Sequence, residues 1–154
     1  MDSIETMTGP FVGWAEHAKT VLGRSGFRSG RARAAVIDLL AVQECCLTAQ
    51  EIFDGLRASG QRVGIATIYR VLDQLTQQRL LQRLEFGEAS RYEPIAPSGE
   101  HHHHVRCGDC GRIEPFADPP LERALDRLGD QLGYELEGHD VVLRGFCGDC
   151  RTSS

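Results

Sequence analysis

Two pairs of cysteines carry the clearest chemistry in this 154-residue sequence. Cys107-Gly108-Asp109-Cys110 and Cys147-Gly148-Asp149-Cys150 repeat one C-x2-C core. A two-residue gap containing glycine lets both thiolates of a pair turn toward one tetrahedral ion, about 2.3 Å from zinc. Between Cys110 and Cys147 lie 36 residues. That interval exceeds a short zinc ribbon, so a small domain must fold between the pairs to bring four sulfurs together. Separate thiol pairs or redox C-x-x-C motifs would need no such meeting, and an iron–sulfur cluster also takes four thiolates. Two glycine-bearing knuckles of one type favour a closed structural Zn2+ site built from Cys107, Cys110, Cys147 and Cys150.

His101-His102-His103-His104 run directly into Val105-Arg106-Cys107. Alternate side chains of a strand point to opposite faces. His101 and His103 would then share one face, and His102 and His104 the other. One row of imidazoles can feed two metal sites on opposite sides; the other possibility is a solvated polar loop.

These ligands need elements to hold them. A first helix is expected over 12–22, ending near Gly23. A second, over 31–42, has Val36, Ile37, Leu39 and Leu40 as its apolar positions. Thr48-Ala49-Gln50-Glu51 reads as a capping box. The helix it opens places Ile52, Phe53 and Leu56 on one face and stops near Gly60. A fourth helix, 65–78, turns Ile68, Leu72 and Leu75 inward. Short strands follow over 80–86 and 89–93, with Gly87-Glu88 between them. Compact helices followed by a hairpin make a winged helix-turn-helix, whose last helix enters the major groove of DNA.

On that helix Thr67, Tyr69 and Arg70 lie toward the N-terminal half, the half that meets bases and phosphates. Tyr69 can set its ring against a thymine methyl, and Arg70 can donate to guanine or to backbone oxygens. Tyr69 could instead pack between helices. Arg33 is expected to meet phosphate.

Residues 94–100, with Pro97-Ser98-Gly99, read as a hinge. Strand-like runs follow at 102–107, 112–116 and 134–146, and Pro119-Pro120 precede a helix over 121–132. The expected fold is α+β: an N-terminal winged helix (1–93), a hinge (94–100) and a small α/β domain (101–154).

The formal net charge of −5 excludes a protein that coats nucleic acid through bulk positive charge. Its distribution says more. Residues 1–23 sum to −2, residues 24–83 to +4 and residues 84–154 to −7. A basic middle beside an acidic end is expected when one part meets phosphate and the other does not. No run of 18 or more apolar residues offers a membrane span, and residues 1–10 lack the regions of a signal peptide. The expected location is the cytoplasm, where cysteines serve as metal ligands or free thiols rather than disulfides.

HHHHVRCGDCG, the helix VGIATIYRVLDQL and the closing CGDC together resemble the landmarks of the ferric uptake regulator family, in that family's order. The resemblance implies a winged helix, a hinge, a dimerisation domain, and metal-driven repression. The operator would be a palindromic, A/T-rich double-stranded site bound by a homodimer. It also implies two metal sites beyond the four cysteines. One, in the dimerisation domain, falls on His101, His103, Glu122 and His139. The other, at the hinge, falls on Glu93, His102, His104 and Cys46, with Cys46 standing where the family usually has histidine. Arg28 matches a basic residue that the family sends into the minor groove.

The cysteine is the departure. With two imidazoles and a carboxylate it suits Zn2+, although Fe2+ also fits such a set; as a core residue it would be a small hydrophobe. Glu85 or Glu114 could complete the hinge site in its place. Cys45 is expected to point elsewhere. An iron- or peroxide-responsive regulator is the second reading within the family. A zinc-dependent hydrolase would need an open coordination position and a base, and no H-E-x-x-H motif supplies them.

Overall fold

The computed structural model describes residues 13–26, 30–43, 45–87, 89–96 and 102–151. Arg28 and His101 lie outside them. The chain divides into two compact units, Met1–Glu100 and His101–Ser154.

The first unit runs α1 (Trp14–Arg24), α2 (Arg31–Ala41), β1 (Leu47–Thr48), α3 (Ala49–Ala58), α4 (Ile65–Gln77), β2 (Leu81–Glu85) and β3 (Ser90–Pro94). Its core gathers the apolar faces of all four helices, with Leu22, Ile37, Leu40, Ile52, Ile68 and Leu72 fully buried. Trp14 joins them, and its indole N–H donates to the Leu80 carbonyl at 2.8 Å, tying α1 to the start of the hairpin. A buried indole needs such a partner. α1 begins two residues later than expected, behind Gly13 at φ 81.

The capping box at α3 is complete. The Thr48 hydroxyl accepts from the Glu51 N–H at 3.0 Å, and the Glu51 carboxylate accepts from the Thr48 N–H at 3.1 Å. Gly60, at φ 84, turns the chain after α3 through the left-handed region. Thr48→Ala should lower the stability of this unit by about 1 kcal/mol. Urea unfolding followed by helical circular dichroism measures it; an unchanged midpoint would show that the cap contributes nothing.

β1, β3 and β2 form an antiparallel sheet in that order. Its register sets Leu47 opposite Tyr92, Gln82 opposite Glu93, and Glu85 opposite Ser90. The wing therefore closes at Glu85 and Ser90 rather than at the two-residue turn expected. Phe86, just beyond the last pair, is buried.

The second unit contains β4 (His103–Cys107), β5 (Ile113–Phe116), α5 (Pro119–Leu132), β6 (Val142–Gly145) and the short α6 (Gly148–Arg151). β4 is central, antiparallel to β5 and parallel to β6. A parallel neighbour requires a crossover, and α5 supplies it. Pro119 and Pro120 belong to the helix instead of preceding it. Their missing N–H groups cost nothing in a first turn, and the Asp118 carboxylate accepts from the Leu121 N–H at 3.1 Å.

The strand expected over 134–146 is only Val142–Gly145. Glu135, Glu137 and Gly138 are poor strand formers, and the five-residue β4 offers no longer edge to pair with. Among the described residues of this unit only His103, His104, Cys107 and Gly129 are buried. No helix among the described residues is long and apolar enough to cross a membrane.

Candidate metal centres and nucleic-acid interface

Parallel pairing of β4 with β6 explains how the two knuckles meet. Cys107 ends β4 opposite Gly145, two residues before Cys147. The Gly108 N–H donates to the Gly145 carbonyl at 2.8 Å, and Gly111, at φ 77, folds its N–H back onto the Cys107 carbonyl at 3.0 Å. All four sulfurs lie within 4.8 Å of one another. Cys110 and Cys147 are 3.8 Å apart, which matches the edge, about 3.8 Å, of a tetrahedron of zinc–sulfur bonds. The donor set and its spacing fit zinc.

The electrostatics agree. Backbone N–H groups of Cys110, Cys147 and Asp109 lower the Cys107 thiol to about 6. Hydrogen bonds with Cys147 and Cys107, together with burial, push Cys150 up to about 12. One thiolate forms readily, and a bound cation lets the remaining protons leave. The Arg112 guanidinium donates to Asp149 at 3.1 Å, from one knuckle to the other. This pair is exposed and screened by solvent, so it orients the knuckles more than it stabilises them.

A second cluster lies at the start of α5. The two oxygens of Glu122 meet His103 Nε2 and His139 Nε2, the latter at 2.6 Å. The imidazole centroids of His103 and His139 are 5.2 Å apart, and His103 is fully buried. Burial opposes ionisation of Glu122, but the hydrogen bonds and charges of the two histidines together outweigh it and hold its pKa below the ordinary value. The Val141 N–H donates to His103 Nδ1 at 3.2 Å. A neutral His103 therefore carries its hydrogen on Nε2. To ligate a metal through Nε2 it must yield that hydrogen and turn Nδ1 away from Val141. Three of the four residues expected here thus come together; His101 lies outside the described residues. His104 alternates with His103 along β4 and is also buried.

In the first unit, Cys46 precedes β1, and the β1–β3 register carried one step further sets it across from Glu93. Both are buried. The Gln82 amide donates to Glu93 at 3.0 Å, and Arg91 donates to the Cys46 carbonyl at 3.5 Å. A hydrogen bond with Cys45, burial, and the negative charges of Cys45 and Glu93 push the Cys46 thiol far above its ordinary value.

The expectation for Cys45 was wrong. Its sulfur lies 3.4 Å from that of Cys46. Alternation would separate the pair on a strand, but Cys45 sits at a bend outside β1. Glu85 is held at the wing tip by Arg83 at 2.7 Å and Ser90 at 2.9 Å, so the structure does not bring it to Glu93. Glu114 is exposed on β5, with Arg112 at 3.9 Å.

α4 presents Ile65, Ala66, Tyr69 and Arg70 outward and Ile68, Val71, Leu72 and Leu75 inward, with Thr67 half-buried. Tyr69 is 49% exposed, which rules out core packing. No side chain caps the helix at Gly64, so its first N–H groups remain open to an anion such as a phosphate. Arg57 and Arg62 line the groove beside the α3–α4 turn. Sequence reasoning passed over both, although a basic residue two positions before the helix cap was a usable signal. Arg33, by contrast, is only 8% exposed, a poor position for a phosphate contact.

Comparisons place these features in one family. The profile of the ferric uptake regulator family matches residues 24–144. The ferric uptake regulation protein of Neisseria meningitidis serogroup A is 34% identical over 128 residues, covering 82% of this chain and 88% of the relative. The structure of the Helicobacter pylori ferric uptake regulator, described as having three functional metal-binding sites, superposes with a TM-score of 0.77 at 27% identity, covering 90% of this chain and 91% of that one. The Francisella tularensis ferric uptake regulator, solved with iron, gives 0.70 at 30% identity over 82% of this chain and 96% of its own. The chain belongs to the ferric uptake regulator family of metal-responsive, DNA-binding transcription regulators, and it is a regulator rather than an enzyme.

Proposed function

We propose that this chain is a zinc-responsive repressor of metal-homeostasis genes that acts in the cytoplasm as a homodimer on a palindromic, A/T-rich operator. Cys107, Cys110, Cys147 and Cys150 hold a structural Zn2+. Cys46, Glu93, His102 and His104 form the regulatory set, and His103, Glu122 and His139, with His101, form a further site. The relative from Helicobacter pylori, with its three functional metal-binding sites, supports three donor sets in this chain.

The observation that carries zinc is Cys46, a buried thiol beside a buried carboxylate where the family pattern has an imidazole. One sulfur moves a nitrogen–oxygen site toward softer ions, and zinc supplies the positive charge that lets a thiolate and a carboxylate stay ionised together. The residues do the remaining work. Tyr69 and Arg70 stand exposed on α4 for base and phosphate contact, Arg28 reaches a minor groove, and palindromic half-sites match a twofold protein. Leu132, Tyr134, Leu143 and Phe146 are exposed on a unit with almost no buried apolar side chains, and a second copy of the same unit would cover them.

Operator affinity titrated against buffered Zn2+, Fe2+ and Mn2+ tests this reading. Zinc should raise it; activation by Fe2+ alone would make the protein an iron or peroxide sensor. With zinc present, Tyr69→Ala or Arg70→Ala should each weaken operator binding by about 1–3 kcal/mol without changing metal content. Unchanged affinity in both would remove α4 from the groove.

A further inference from the structure

We propose that Cys45 and Cys46 act together as a dithiolate clamp for the regulatory zinc, with Glu93 as the third donor from the same unit. The inference deepens the reading of Cys46 as a ligand and rests on it.

Three observations carry it. The two sulfurs converge at 3.4 Å, although neighbours on a regular strand would diverge. The convergence is built by the backbone, because Cys45 lies at a bend while Cys46 leads directly into β1. Opening the pair to the edge of a zinc–thiolate tetrahedron, about 3.8 Å, requires only a few tenths of an ångström, within the reach of a side-chain rotation. The four-cysteine site of the same chain already shows that edge, between Cys110 and Cys147.

The third donor is positioned independently. Glu93 stands across the sheet from Cys46 and accepts a hydrogen bond from Gln82 at 3.0 Å. That bond uses one oxygen and orients the carboxylate. Cys46 is itself anchored through its carbonyl by Arg91, which also pairs with Glu51 at 2.8 Å. Two sulfurs and one oxygen make a softer set than one sulfur with nitrogen and oxygen, and they discriminate against Fe2+ more strongly than Cys46 alone could. A four-coordinate zinc holding all three would have one place left for a further donor.

Cobalt(II) reads the number of sulfurs directly, because each bound thiolate adds charge-transfer absorption in the near ultraviolet. The full-length protein, with its four-cysteine site filled by zinc and a phosphine reductant present, is titrated with Co2+. The double variant Cys45→Ser/Cys46→Ser provides the blank. Cys45→Ser and Cys46→Ser should each retain about half of the parent's thiolate absorption, and zinc affinity should fall at least tenfold in either. If Cys45→Ser matches the parent in absorption and affinity while Cys46→Ser loses both, Cys45 is only a hydrogen-bonding neighbour and the clamp is overturned, with Cys46 still a ligand. If Cys46→Ser also matches the parent, the reading of Cys46 itself has failed. Unchanged four-cysteine zinc content in all variants shows that folding is intact.

Discussion

Cys107→Ser should strip about one zinc per chain and dissociate the dimer, while the helical first unit stays folded. The asymmetry between the units is the reason. The hydrophobic cluster, from Trp14 through Leu75 to Tyr92, lies entirely in the first unit. In the second, the buried described residues are two histidines, a cysteine and a glycine. A three-stranded sheet with one long helix, one short one and so little buried apolar surface cannot offset its own conformational entropy.

Structural zinc in small domains contributes about 10–16 kcal/mol of apparent binding free energy, which becomes folding free energy when no site exists in the unfolded chain. Cys107 is the most exposed to this argument. It terminates β4, accepts the Cys147 N–H at 3.4 Å and has its thiol pKa lowered by backbone N–H groups. Zinc content by elemental analysis, sedimentation and helical circular dichroism separate the effects. A Cys107→Ser protein with full zinc content and an intact dimer would refute the assignment.

Much of this architecture was legible in the sequence because local physics settled it. The capping box at Thr48 and Glu51 fixed the start of α3 to the residue, and the periodic apolar positions of α4 separated its inward and outward faces. The C-x2-C spacing announced a four-sulfur knot before any pairing was known. What could not be read depended on neighbours distant in sequence. Strand length over 134–146 was overestimated because its limit is the five-residue edge of β4. Arg33 looked like any surface arginine, and only packing shows it to be buried. Glu122 and His139 were assigned through the family pattern alone, since neither carries a local signal. The convergence of Cys45 on Cys46 was missed because the bend at Cys45, just before β1, carries no signal in the sequence.

Cys46→Ser should keep the structural zinc and the dimer yet lose the response of operator binding to zinc. The oxygen that replaces the sulfur is smaller and, as a neutral hydroxyl, a weak ligand for zinc. Glu85 does not take its place, because it is tied to Arg83 and Ser90 at the wing tip. Coupling between a regulatory ligand and a second site typically changes affinity about 5–150-fold. In the parent, saturating zinc should produce a change of that order in operator affinity, and in Cys46→Ser the ratio should fall close to one.

A purely structural role predicts something different. Cys46 is buried beside β1, so a packing defect would lower stability and weaken DNA binding with and without zinc alike, leaving the ratio intact. Measuring operator affinity at zero and saturating buffered zinc, alongside urea unfolding of the same proteins, distinguishes the two. A preserved ratio in Cys46→Ser would make Cys46 a core residue. A lost ratio with unchanged basal affinity and stability can arise only if its sulfur links metal to DNA.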